Sequence, residues 1–273
     1  MVKVYTIASG KGGTGKTTVT ANLGPMLAHY GKKTCILDTD VGMANLGLIL
    51  GLESLPVTLH EVLAGKARVR DAICDGPFGV KVVPCGLSLQ GFQQSSPERL
   101  RDVMTDLVSE FDILIMDSPA GISRDAVIPL TIADGVILVV NPEISAIVDS
   151  LKTKILTEMI GGHVEGAIIN RVAGNTDEFN YAQMEKLLGV RVLAAIPEDP
   201  NVRRASASRS PIVVKYPTSD ASRAFKRISA DIAGIEYVED EMPEGREGFV
   251  ERLARALFQG KTPWCEQHHG KTT

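Results

Sequence analysis

Gly10-Lys11-Gly12-Gly13-Thr14-Gly15-Lys16-Thr17, GKGGTGKT, is the stretch on which the reading of this sequence turns. It matches G-x-x-x-x-G-K-[ST]. An apolar run that reads as a strand, Val2–Ala8, precedes it, and Thr17–His29 after it reads as a helix ending near Gly31. Strand, loop and helix in that order are the context the motif requires. The glycines let backbone N–H groups approach phosphates without a Cβ in the way. The following helix aims its positive end at them. Lys16 has the reach for β- and γ-phosphates, and the Thr17 hydroxyl suits Mg²⁺. Lys11 is an addition to the motif. Two lysines in one loop repel unless an anion neutralises them. Lys11 therefore either crosses to a nucleotide held by a second copy, as an arginine finger would, or is a solvated surface lysine.

Working outward, β-branched runs alternate with helical patterns. Strands are expected at Lys33–Leu37, running into Asp38, and at Val80–Pro84, Ile113–Met116, Gly135–Val140, Val164–Ile169 and Arg191–Ile196. Helices are expected at Glu98–Val108, opened by a Ser96-Pro97 cap pair, and at Ile144–Met159, Glu178–Leu188 and Ser219–Ile232. This alternation predicts an α/β fold of the P-loop NTPase type, a mostly parallel twisted sheet with helices on both faces. Ligands in such folds sit beyond the carboxyl ends of the strands. The polar stretches fall there: Asp38-Thr39-Asp40, Asp117–Gly121, Asn141-Pro142-Glu143, Asn170-Arg171 and Pro197-Glu198-Asp199 each follow a strand.

The composition excludes some classes. Over 273 residues, 29 Lys and Arg face 33 Asp and Glu for a net charge of −4, with 44% apolar residues. Disorder and collagen-like repeats are excluded, and coating of nucleic acid by bulk positive charge is disfavoured. No apolar run reaches the roughly 18 residues of a membrane span. The start MVKVYTIASGKGG lacks a secretory core. Cys35, Cys74, Cys85 and Cys265 are dispersed and form no C-x-x-C pair, which fits a reducing compartment. The expectation is a cytoplasmic protein.

KGGTGKTT at residues 11–18 resembles the deviant phosphate-loop motif of the MinD/ParA family of ATPases. Asp38-Thr39-Asp40 with VGMANLGLILGL after it resembles the MinD form of the family's first switch. Met116-Asp117-Ser118-Pro119-Ala120-Gly121 resembles the second. The resemblance spans residues 1 to about 235 and points to the archaeal MinD-like branch. It implies ATP and Mg²⁺, with the nucleotide sandwiched in a homodimer. Gly12, Gly13, Thr14, Gly15, Lys16, Thr17 and Thr18 would hold the phosphates, and Lys11 would contact the opposite nucleotide. Asp40 would activate the attacking water; Thr17, Asp38 and Asp117 would hold Mg²⁺. For the base, the guanine-reading N-K-x-D pattern is absent. Asn170 would hydrogen-bond adenine through its amide, with Arg171, Pro197, Glu198 and Asp199 walling the ring. A structural turn is the alternative for the Pro197–Asp199 loop.

Beyond Ile235 the composition changes. Residues 236–246 form an acidic linker, 247–260 an amphipathic helix and 261–273 a polar tail. In GFVERLARALFQG, Phe249, Leu253 and Leu257 lie beside Val250, Ala254 and Phe258, with the charges largely opposite. So short a helix is marginal alone. It resembles the membrane-targeting helix of MinD proteins, the alternative being docking on its own domain or on a protein. Cys265, His268 and His269 read as a solvated tail rather than a metal site.

The expected function is an ATP-dependent dimerising switch that visits the membrane and positions cell-division or other polar machinery through an unknown activator or cargo protein. A ParA-like DNA-partitioning ATPase is the alternative, disfavoured by the net charge and the Phe/Leu-rich tail. A metallocluster carrier on the same fold would need cysteines that are absent from Asp117–Gly121, and Asp40 argues against a non-hydrolysing scaffold.

Overall fold

The computed structural model describes residues 2–52, 55–86, 88–174, 176 and 179–238. In chain order the elements are β1 Lys3–Ala8, α1 Lys16–His29, β2 Thr34–Asp38, α2 Leu46–Leu50, α3 Leu59–Leu63, β3 Cys74–Asp75, β4 Lys81–Val83, α4 Leu89–Gln94, α5 Leu100–Leu107, β5 Ile113–Asp117 and α6 Arg124–Ile132. They continue with β6 Gly135–Val140, α7 Ile144–Met159, β7 Val164–Val172, α8 Tyr181–Leu188, β8 Val192–Pro197, α9 Pro200–Ala207, α10 Ile212–Lys215 and α11 Asp220–Ala233. The strands form one eight-stranded sheet in the order β3-β4-β2-β5-β1-β6-β7-β8. The ladders from β4 through to β8 are parallel, and the edge pair β3–β4 is antiparallel. The expected P-loop NTPase architecture is therefore present.

Strands β2, β5 and β6 are buried along their length, and alternate residues serve opposite faces, as the two-residue period of a strand demands. Ile113 and Ile115 of β5 join Ile7, Ile36, Ile137 and Ile168 in a cluster with Leu23 of α1 and Phe225 of α11. Leu114 and Met116 point the other way, into a cluster with Leu59 of α3 and Leu107 of α5. Further along that second face, Leu138, Ala167 and Ile169 meet Ala146 of α7 and Leu188 of α8. A continuous apolar run is what a strand buried on both faces requires.

Several boundaries differ from expectation. The helix expected from Glu98 begins at Leu100, after a 3₁₀ turn at Pro97–Arg99. Ser96 Oγ contacts the Glu98 carboxylate at 2.9 Å and makes no side-chain cap bond to the helix backbone. Proline fixes φ in this first turn, and the tight turn uses up the residues expected to open the α-helix. α8 begins at Tyr181, where the Asn180 side chain accepts a hydrogen bond from the Gln183 N–H at 2.9 Å. β7 continues past Ile169 to Val172, with register shifts against β8. The C-terminal segments proposed at 247–260 and 261–273 lie outside the described residues, as does all but the start of the 236–246 linker. Among the described residues no helix is long and apolar enough to cross a membrane.

Candidate nucleotide site

The loop between β1 and α1 keeps the conformation its glycines predict. Gly13 and Gly15 have positive φ, 77° and 98°. A Cβ at Gly12 or Gly13 would meet nothing within 4 Å, so the loop leaves open space in front of its backbone. Gly15 stands at the N-cap of α1, with no side-chain cap bond and no acidic residue in the first turn. The first N–H groups of α1 are thus left for an anion. Thr14 adds an orphan: its hydroxyl oxygen is buried without a partner. Each of these features is what a bound phosphate chain would complete.

Asn170, at the far side of the sheet order from β2, moors this loop. Its Nδ2 donates to the Thr14 carbonyl at 2.7 Å across 156 residues of sequence. A Cβ on Gly15 would lie 2.3 Å from that same Nδ2. The expectation for Asn170 is that it offers adenine both a donor and an acceptor. One of its two amide N–H groups is engaged by the loop, leaving the second N–H and Oδ1 for adenine.

The carboxylates arrive through strand register. Asp38 ends β2 and Asp117 ends β5, and the two are Cα partners in the parallel ladder. Thr39 stitches the ends together, its N–H and hydroxyl both donating to the Asp117 carbonyl at 3.0 and 2.8 Å. Ser118 ties β5 to β1, with its hydroxyl donating to the Ile7 carbonyl at 2.9 Å. Asp38 Oδ2 accepts from the Leu46 N–H at 3.1 Å and Oδ1 from the Asp40 N–H at 3.2 Å. Thr20 Oγ1 donates to Asp117 Oδ1 at 3.3 Å, and the Thr17 hydroxyl bonds Asp117 as well. Burial pushes both carboxyls up; the Asp117 charge pushes Asp38 further, and the Asp40 charge pushes Asp117 up against the Thr17 hydrogen bond and the Lys16 charge.

Lys16 stands among these acids, only 7% exposed. Burial lowers its pKa, against the pull of Asp117 and Asp40. Asp40 is half-buried just beyond β2. Burial raises its pKa, while its hydrogen bond from the Met43 N–H (3.0 Å) and the Lys16 charge lower it. Two buried carboxylates and the Thr17 hydroxyl are the hard oxygen donors Mg²⁺ prefers, and a divalent cation would relieve their mutual repulsion. The residues present fit the metal.

That repulsion has a measurable consequence. The folded protein holds protons on Asp38 and Asp117 at pH values where the unfolded chain has released them. Ligand-free stability therefore falls as pH rises above the ordinary carboxylate value of 3.8. Asp117→Asn should accordingly stabilise the ligand-free protein at pH 7.5 by on the order of 1 kcal/mol, in the range usual for contacting groups, and by less at pH 5. Urea midpoints of both proteins at the two pH values check this. A variant less stable than wild type at pH 7.5 would contradict it.

Beside the loop lies a cavity of about 240 Å³. Thr18, Asn170, Arg171, Pro197, Glu198 and Asp199 line it, so the expected base-pocket residues do come together. Arg171 adopts a positive φ of 58° and faces Glu198, Nε to Oε2 at 3.8 Å. Asp199 also serves its own helix, since its Oδ1 accepts from the Asn201 N–H at 2.8 Å and caps α9 ahead of Pro200. Arg203, 3.9 Å from Glu198, and Phe225 complete the wall and were not expected. Both come from helices whose sequence carries no ligand motif. Lys11 folds onto its own chain, with Nζ 3.2 Å from Glu143 Oε2 and 3.0 Å from Ser145 Oγ. The expected membrane-facing residues Phe249, Val250, Leu253, Leu257 and Phe258 lie outside the described residues. Among the described residues no cluster of three or more His, Cys, Asp or Glu forms a further metal site.

With this geometry in place, comparison with known proteins is specific. The CobQ/CobB/MinD/ParA nucleotide binding domain matches residues 5–212. The chain belongs to this family. It is 47% identical over 258 residues, 94% of this chain and 97% of the relative, to an uncharacterised ATP-binding protein of Methanocaldococcus jannaschii. The cell division ATPase MinD of Pyrococcus furiosus superposes with a TM-score of 0.81 at 38% identity, covering 86% of this chain and 99% of that one. MinD of Pyrococcus horikoshii, in complex with Mg-ADP, gives a TM-score of 0.80 at 36% identity over 85% of this chain and 96% of that one. ATP and Mg²⁺ are the cofactors of this MinD/ParA fold, in agreement with the donor set described above.

Proposed function

We propose that this MinD/ParA-family protein is a Mg²⁺-dependent ATPase switch. Two copies close on ATP, the dimer associates with a membrane through residues 247–260, and hydrolysis returns the protein to the monomer. Through this cycle it positions cell-division or other polar machinery, acting with an activator or cargo protein. The observation that carries the reading is the placement of Asp40, half-buried beside Lys16 at the mouth of the moored phosphate loop.

The chain's own groups divide the work. Backbone N–H groups from Gly12 to Thr18 and the Lys16 ammonium hold the phosphates. Bound Mg²⁺, taken by Thr17, Asp38 and Asp117, supplies neutralisation of phosphate charge. Asp40 accepts a hydrogen bond or proton from the attacking water. Asn170 Oδ1, Arg171 and the Pro197-Glu198-Asp199 rim receive the base. Lys11 is held on its own subunit by surface contacts to Glu143 and Ser145, and a surface ion pair is worth about 0–1 kcal/mol, so it can leave them for the partner's nucleotide at small cost.

The domain proposal is an ATPase domain at 1–235, a linker at 236–246, an anchor at 247–260 and a tail at 261–273. It is supported by α11 ending at Ala233, with Gly234 as its left-handed cap. Between Glu244 and Lys261 four basic residues face three acidic ones, so the anchor's hold on lipid rests on Phe249, Val250, Leu253, Leu257 and Phe258. One copy binds weakly, and two copies joined in a dimer bind far more tightly through effective concentration.

Removal of residues 247–273 should leave ATP-dependent dimerisation intact and abolish liposome binding. Co-sedimentation with ATP or ADP, against liposomes and duplex DNA in parallel, makes the test. Unchanged liposome pelleting after truncation refutes the anchor. Salt-sensitive pelleting with DNA in place of lipid favours a partitioning ATPase.

A further inference from the structure

One buried titratable side chain has no part in the scheme above. His60, in α3, is 1% exposed, and its neighbours on that short helix, Leu59, Val62 and Leu63, belong to the apolar cluster. A polar ring in such a place needs a partner. Its Nε2 lies 3.1 Å from the carbonyl oxygen of Val41, across 19 residues of sequence. A carbonyl only accepts, so the ring's proton sits on Nε2 and donates. Val41 directly follows Asp40, and its own side chain is buried in the same cluster as α3.

Ahead of Asp40 the chain is tied to the sheet, where the Thr39 N–H and hydroxyl donate to the Asp117 carbonyl of β5. The Asp40 N–H reaches Asp38, the Met43 N–H reaches Asp40, and the Leu46 N–H reaches Asp38. Two of these three run to Asp38, the last residue of β2, and none of them holds Val41. The His60 bond ties the loop's backbone to an element outside it.

That element is itself fixed. The Leu59 N–H donates to the Pro84 carbonyl at 2.9 Å, and the Thr58 N–H to Glu61 Oε2 at 2.8 Å. The ring is also closed in from its other edge. A Cβ on Gly86 would lie 2.7 Å from His60 Nδ1, and one on Gly91 2.8 Å from it. Glycine at both positions lets the chain after β4 lie directly against the imidazole, so the ring has no room to swing away from Val41. The Nδ1 atom is buried there without a partner.

We propose that His60 is a positioning residue for hydrolysis: its Nε2–H, held under Gly86 and Gly91, fixes the Val41 carbonyl and thereby the placement of the Asp40 carboxylate. The inference rests on the reading of Asp40 as the group that activates water. Displacing a reacting group by about 1 Å can cost roughly a hundredfold in rate, so a tether one residue from Asp40 belongs to kcat rather than to nucleotide affinity.

The test uses the full-length chain with Mg-ATP, measuring steady-state kcat and KM, affinity for a non-hydrolysable ATP analogue, and thermal midpoint. His60→Phe keeps a ring without the donor. His60→Gln carries an amide nitrogen to the place of Nε2, whereas His60→Asn carries one only to the place of Nδ1. Expected are a tenfold to hundredfold fall in kcat for His60→Phe, on the order argued from displacement, with analogue affinity within about threefold of wild type. His60→Gln should recover most of the rate and His60→Asn should not. In an Asp40→Ala background, His60→Phe should cost nothing further. Wild-type kcat in His60→Phe overturns the inference, as do equal rates in the Gln and Asn variants or a full additional loss in the double variant. If the Phe variant fails to fold, the Gln and Asn pair decides. Asp40→Ala at the wild-type rate overturns the premise and the inference with it. A slow Asp40→Ala beside a His60→Phe variant of wild-type rate overturns this inference alone.

Discussion

Lys16→Ala is expected to abolish nucleotide binding. Lys16 is almost wholly buried beside Asp117 and Asp40, and its charge is the cationic balance for that acidic corner. Phosphate arriving at the loop adds further negative charge. The variant would have to accept it with backbone N–H groups alone, against unopposed carboxylates. Truncating one partner of a buried charged contact to a ligand costs about 2–5 kcal/mol of binding, which corresponds to an affinity loss of roughly thirtyfold or more. Titration of the variant with a fluorescent ATP analogue measures it. Affinity within about tenfold of wild type, a difference of roughly 1.4 kcal/mol, would sink the assignment of the phosphate loop. Lys16→Gln, which preserves the stem and a donor but not the charge, guards against a merely unfolded result.

Asp40→Ala is expected to separate binding from hydrolysis. Asp40 is only half-buried, and its carboxylate bonds the Met43 N–H of its own loop, so its removal leaves the buried Asp38–Asp117 pair and the Asn170 mooring in place. Nucleotide affinity should persist. Loss of a positioned base lowers rates by about 10²–10⁴-fold, so the variant should accumulate as an ATP-bound dimer. Phosphate release and size-exclusion chromatography with ATP or ADP report the two halves of the prediction. Wild-type turnover would remove Asp40 from the mechanism. Slow turnover without a dimer would keep its role and unseat the coupling of nucleotide to assembly.

The central strands and the phosphate loop are readable in the sequence because their signals are local. Ile113–Met116 and Gly135–Val140 are unbroken apolar runs, and GKGGTGKT lies between a strand and a helix. The region from Val41 to Gly79 is not readable to the same degree. α2 and α3 have five residues each and β3 has two, too few for any hydrophobic period to declare itself. Tertiary packing creates these elements. The carboxylates Asp38, Asp40 and Asp117 can be placed at strand ends, but their pairing is a matter of register, which appears only when the sheet is assembled. Asn170 is legible as a residue of the right site but with only half its role, since nothing in its sequence neighbours tells of Thr14. His60 is silent in the sequence because a lone histidine in a short apolar segment gives no sign of the carbonyl it meets.

The bond between Asn170 and Thr14 spans 156 residues, and this sets an order of events during synthesis. The phosphate loop leaves the ribosome long before the strand that moors it. It stays unmoored until β7 has emerged and found its place beside β6. A truncated or stalled chain therefore carries the whole motif without the support that shapes it. A nucleotide that binds the moored loop stabilises chains whose sheet is formed as far as β7 over those in which it is not.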